Sequence, residues 1–130
     1  MKSRDTLIRL KRFQVEDKRR RVVQIESMIA EFTRMAGELD REIATEEKRA
    51  GISDPSHFAY PTYARAAMTR RDNLTRSREE LEGQLADAKV HLNESLEDFR
   101  KVEALDGREK AAERILDRPD VDVHALQARA

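Results

Sequence analysis

The residues of this chain best suited to chemistry are three histidines, His57, His91 and His124, and two pairs of adjacent acids, Glu46 with Glu47 and Glu79 with Glu80. An imidazole can relay a proton or bind a metal near neutral pH. Paired carboxylates can serve as general acid and base when burial drives their pKa values apart. Neither use is supported by the spacing. The histidines are far apart with no further ligand at metal-binding distance in sequence, and His57, among turn residues, is more simply a loop cap. The acid pairs sit in strongly charged stretches where nothing desolvates them, so they read as a solvated face. The absence of Cys removes thiol nucleophiles, thiolate metal sites and disulfides together and fits a reducing compartment. No Gly-rich phosphate loop ending in Lys-Ser or Lys-Thr occurs. The sequence therefore leads us to expect no catalytic, cofactor-binding or metal-binding residue, and a protein that works by binding other proteins.

The elements that would hold such a surface are helices. Of the 130 residues, 38% are apolar, 5% aromatic and 40% charged, with Lys plus Arg equal to Asp plus Glu at 26 each. That apolar fraction suits a narrow seam between helices better than a layered globular core. The opening MKSRDTLIRLKRF lacks the roughly 7 to 15 apolar residues of a signal peptide, and no stretch approaches the ~20 needed to cross a bilayer. A cytoplasmic protein without membrane insertion is expected. Pro and Gly divide the chain. A first helix is predicted over about 3–50 and a connecting loop over 51–62, where Pro55 can start one short helical turn. A second helix follows over about 63–117, ended by Pro119, and 118–130 is expected to be a flexible tail or short helical end.

The first helix carries a seven-residue apolar repeat at Met1, Ile8, Val15, Val22, Ile29, Ala36, Ile43 and Ala50. Its companion position holds Arg4, Lys11 and Lys18 and then Ile25, Phe32 and Leu39, so the seam should be wet near the amino end and tight centrally. The second helix places Leu74, Leu81, Ala88 and Val102 on one heptad line and Leu85, Leu92 and Phe99 on the other. If the helices pair antiparallel, opposed residues have numbers that add to a nearly constant total. Phe32 with Leu81, Leu39 with Leu74, Ile25 with Ala88, Ile8 with Leu105, Ile29 with Leu85, Val22 with Leu92 and Val15 with Phe99 all satisfy this, and half the total falls at His57, inside the proline-defined loop. The fold expected is all-α: two long helices forming an antiparallel coiled-coil hairpin as one domain over 1–117. Charge agrees, since Arg65, Arg70, Arg71, Arg76 and Arg78 would face Glu38, Asp40, Glu42, Glu46 and Glu47.

Two regions remain as candidate binding surfaces. Residues 2–21 hold nine bases, among them Lys2, Arg4, Arg9, Lys11 and Arg12, against three acids. This is a solvated face partly neutralised by the second helix, a protein-binding surface, or a basic-helix nucleic-acid binder. The last is disfavoured, because Ile8 and Val15 carry the apolar repeat through the basic run and leave the helix occupied by its partner. In the loop, Ile52, Phe58, Tyr60 and Tyr63 exceed what a two-helix seam can bury. They either fold back to cap the end or form a partner-binding knob.

The opening KSRDTLIRLKRFQVEDKRRRV, the loop GISDPSHFAYPTYA and the following RRDNLTRS resemble the FliJ family of flagellar export proteins as found in alphaproteobacteria, over roughly Met1 to Val102. The resemblance implies a non-enzymatic stalk or adaptor within the hexameric ring of the flagellar type III export ATPase, linking the ring to the membrane export gate protein and supporting motility. It implies that the end holding both termini enters the ring, so that Lys2, Arg4, Arg9, Lys11 and Arg12 face the ATPase. It likewise implies that Ile52, Phe58, Tyr60 and Tyr63 lie towards the gate, with export substrates or chaperones as further partners and no nucleic acid. Localisation would be cytoplasmic and peripheral to the inner-membrane apparatus. A type III secretion stalk, which shares this architecture, a general coiled-coil adaptor and a nucleic-acid binder are the alternative readings.

Overall fold

The computed structural model describes residues 2–116, without the side chain of Lys2. Met1, the last predicted helical residue Asp117, and the tail 118–130 with Pro119 and His124 lie outside the described residues. The chain is an all-α hairpin of two long helices, α1 (Lys2–Ala50) and α2 (Thr62–Leu116).

Each helix has an identifiable stop or start. Asp5 in the first turn of α1 and Lys48 with Arg49 in its last turn complement the helix dipole. The helix ends where Gly51 takes φ of 68°, a left-handed conformation costly for residues with a Cβ, and its N–H bonds the Glu47 carbonyl at 2.9 Å. Helix α2 begins after Pro61, whose carbonyl accepts the first helical bond from the Arg65 N–H at 3.0 Å. Between the helices the chain makes successive tight turns. The His57 N–H bonds the Asp54 carbonyl at 3.1 Å and the Tyr60 N–H bonds the His57 carbonyl at 3.0 Å. No helical turn forms at Pro55, because the Asp54 carboxylate takes both the N–H and the hydroxyl of Ser56, which stabilises a turn instead.

The chain packs as two units, one of residues 17–92 with the loop, the other of the remaining helix ends. In the loop unit, Val22, Ile25, Leu81 and Ala88 form a buried cluster, with Ile29, Phe32, Leu85 and Leu92 packed on it. The register expected from the heptads is therefore the one observed. Ile25 is the most buried of these, 1% exposed. Near the loop the buried residues are Ala36, Ile43, Tyr60, Ala64 and Ala67. Ala64 and Ala67 extend the two heptad lines of α2 below Leu85 and Leu74.

Only part of the expected charge pairing crosses between helices. Arg71 reaches Asp40 at 3.0 Å. Arg78 instead approaches Glu82 at 3.7 Å, Arg76 bonds Asn73, and Arg65 lies over the Tyr60 ring. Arg71 and Arg78 occupy seam positions of α2 with half-buried stems, and such side chains extend their charged heads to whichever acid or solvent is nearest.

In the terminal unit, Val15 is buried and Ile8, Phe99 and Val102 are half-buried. The expected pairing of Ile8 with Leu105 is not what forms, since Leu105 is 56% exposed. The heptad line Leu85, Leu92, Phe99 continues to Asp106, and Asp106 takes the buried position at 7% exposure. Leu105, one residue earlier, is turned by about 100° to the flank.

Candidate functional site

Of the amino-terminal bases expected to face a partner, Arg4 is the most engaged within the chain. It stands at a seam position, seven residues before Lys11, and its guanidinium is flanked by three carboxylates of α2. Its Nε is 2.7 Å from Asp106 Oδ1, its Nη1 contacts Glu109, and its Nη2 is 3.3 Å from Glu113. The pair with Asp106 is close but lacks the alignment of a hydrogen bond. Lys110 approaches the other oxygen of Asp106 at 3.0 Å. Lys11 reaches Asp98 at 4.0 Å, and Arg12 lies over the Phe99 ring at 5.6 Å. Arg9 is exposed and, with Arg12, borders a shallow groove of about 330 Å³ that also touches Ile8, Glu103, Asp106 and Lys110. The structure brings Arg4, Arg9, Lys11 and Arg12 into one unit. Arg9 and Arg12 remain accessible, and Arg4 is enclosed. The apolar Leu105 draws the expected pairing to itself, whereas Asp106, spaced seven from Phe99, is the residue that the heptad line carries into the seam.

At the loop, the four expected residues separate. Tyr60 is buried, its hydroxyl 3.4 Å from Met68 Sδ, and burial followed by the nearby Glu47 carboxylate pushes its pKa up. Tyr63 is half exposed and donates to Glu42 Oε2 at 2.8 Å, a bond that holds its hydroxyl above the ordinary tyrosine range. Ile52 is half-buried, and Phe58 is 96% exposed. The His57 ring stacks on Phe58 with centroids 4.7 Å apart, while its Nδ1 accepts the Ala59 N–H at 3.0 Å. Of the two alternatives for the aromatics, Tyr60 takes the cap and Phe58 is the projecting residue. His57 is thus a loop-shaping residue, as its position suggested.

Protein-family models, curated proteins and solved structures yield no match to this chain.

Among the described residues no group of acids and histidines is arranged to hold a metal, and no helix is long and apolar enough to cross a membrane. His91 lines an open groove of about 520 Å³ with Lys18, Arg21 and Asp87, without a second imidazole or an enclosed wall. Glu46 pairs with Arg49 at 3.1 Å on the surface, so it serves the helix end. The arrangement as a whole offers accessible charge at the terminal unit and an aromatic tip at the loop.

Proposed function

We propose that this chain is a non-enzymatic stalk or adaptor of a flagellar protein-export apparatus, binding the hexameric export ATPase through its terminal unit and the membrane export gate through its loop. The protein would be cytoplasmic and peripheral to the inner membrane. The resemblance of its opening and loop to the FliJ family motivates the reading. The observation that supports it best is that the hairpin buries a seam and a loop cap while leaving Arg9, Arg12 and Phe58 outward. Among the described residues the grooves are open, which suits surfaces for partners better than a site that encloses a substrate. Nucleic-acid binding is less well supported, because Arg4 and Lys11 are engaged by Asp106 and Asp98 of the same chain and Ile8 and Val15 keep this face of the helix in the seam.

The reading is tested by expressing the tagged chain in a flagellated alphaproteobacterium and identifying what co-purifies after mild crosslinking. Recovery of the flagellar export ATPase, and non-motile cells when the gene is deleted, is the expected result. Recovery of a secretion-system ATPase instead would favour the type III secretion stalk. Recovery of neither ATPase, with normal swimming in the deletion strain, would overturn the proposal. Arg9→Glu with Arg12→Glu should weaken the ATPase complex without loss of helicity, and raising salt should mimic part of the defect in the parent chain, narrowing the difference between the two.

A further inference from the structure

The two flanks of the terminal unit differ in chemistry. One flank is the groove formed by residues that each follow a seam position, Arg9 after Ile8, Arg12 after Lys11, Gly107 after Asp106 and Lys110 after Glu109. Apart from Ile8 and Gly107 its lining is charged. Residues that precede the seam positions lie on the opposite flank. The same geometry is seen in the loop unit, where Met35 and Glu42, each one before a seam residue of α1, line a groove with Arg70 and Ser77, each one before a seam residue of α2. In the terminal unit that second flank carries Leu7 and Leu10 from α1 and Leu105 from α2, exposed by 41%, 49% and 56%. A two-helix coil requires apolar residues only along its seam. Additional apolar positions on one flank of both helices are the pattern of a bundle, in which a third helix covers them.

The charges beside these leucines define the third helix. Lys101 and Arg108 lie on the same flank of α2, both exposed and neither in an ion pair among the described residues. They are seven residues apart, about 10 Å along the helix. The acids on that flank of the unit are Asp98, 4.0 Å from Lys11, and the exposed Glu94, seven residues before Lys101; Lys101 and Arg108, four residues before and three after Leu105, are the charges nearest the leucine. A second copy of this chain would set these bases against their own equivalents. We infer that the flank bearing Leu7, Leu10 and Leu105 docks a partner helix that has one leucine-rich face bordered by acids at heptad spacing. The surface is distinct from Arg9 and Arg12 and does not depend on which apparatus the chain serves.

The test uses the full chain and a labelled synthetic helix with leucines at heptad spacing flanked by glutamates, followed by fluorescence anisotropy. A matched peptide with lysine flanks is the control. Saturable binding of the glutamate peptide is expected, at least about tenfold tighter than the lysine peptide. It should weaken at least about tenfold in the variant Leu10→Ser with Leu105→Ser, whose helicity is checked by circular dichroism. Val90→Ser, an exposed apolar change in the loop unit, should leave binding unchanged. Equal binding of the two peptides, no binding, or binding that survives the double leucine variant would overturn the inference. So would sedimentation showing that the chain is a dimer which the leucine variant dissolves.

Discussion

Breaking the buried ion pair at the terminal unit should destabilise the hairpin, and removing both partners should not. Losing one member of a fully buried pair typically costs about 3–5 kcal/mol, because a charge is left desolvated. Here the side chains of Arg4 and Asp106 are 13% and 10% exposed, and each has a second partner. In Arg4→Met, Asp106 keeps Lys110 at 3.0 Å, itself half exposed, so about 1–3 kcal/mol is expected. In Asp106→Leu, Arg4 keeps Glu109 and Glu113, both at least half exposed, so the loss should be smaller, about 1 kcal/mol. The double variant places two apolar side chains beside Ile8 in the seam. Replacing a buried pair with packed apolar groups is commonly neutral or stabilising by about 1–4 kcal/mol, so it should match or exceed the parent chain. The four proteins form a double-mutant cycle. Urea unfolding followed by circular dichroism gives the energies, and hydrogen exchange at 2–16 and 93–116 places them in the terminal unit. Single losses below about 0.5 kcal/mol that simply add in the double variant would mean an ordinary surface pair, and the argument from the burial of Asp106 would fail.

Cysteines at Ile29 with Leu85, or at Phe32 with Leu81, should crosslink within one chain, and bridges formed only between chains would contradict the observed register. Ile25→Ala should cost about 2–4 kcal/mol as a lowered urea midpoint, and Phe32→Ala less than the ~3–5 of a fully buried ring, because Phe32 is only half-buried and the narrow seam can close around it. The raised pKa of Tyr63 means that its protonated form is favoured by folding. Its contribution is complete below the unfolded tyrosine value near 10 and is lost as pH rises through the folded value, so Tyr63→Phe should flatten the alkaline limb of a stability–pH curve. Phe58→Ala should leave the urea midpoint within about 0.5 kcal/mol, since the ring is 96% exposed, and, on the function proposed above, should weaken capture of an export gate protein in a pull-down.

The helices, the loop and the central register were legible in the sequence because each is set by local rules. Prolines and Gly51 punctuate the helices, and a repeat of seven admits one antiparallel alignment when the connecting loop is short. Val22, Ile25, Leu81 and Ala88 pack as that alignment requires. What the residues alone left open was decided where two chemistries compete for one position. Leu105 is apolar and Asp106 charged, yet the helical turn carries Asp106 into the seam and Leu105 out of it, and the burial is tolerable because Arg4 stands opposite. The same holds at the loop. Ile52, Phe58, Tyr60 and Tyr63 are all apolar or aromatic, but only Tyr60 is buried, its hydroxyl reaching Met68, while Phe58 projects. Composition and periodicity thus determined which residues could form a seam. Side-chain volume and charge, matched across two helices in three dimensions, decided which bases stay available to a partner and which are enclosed by the chain's own acids.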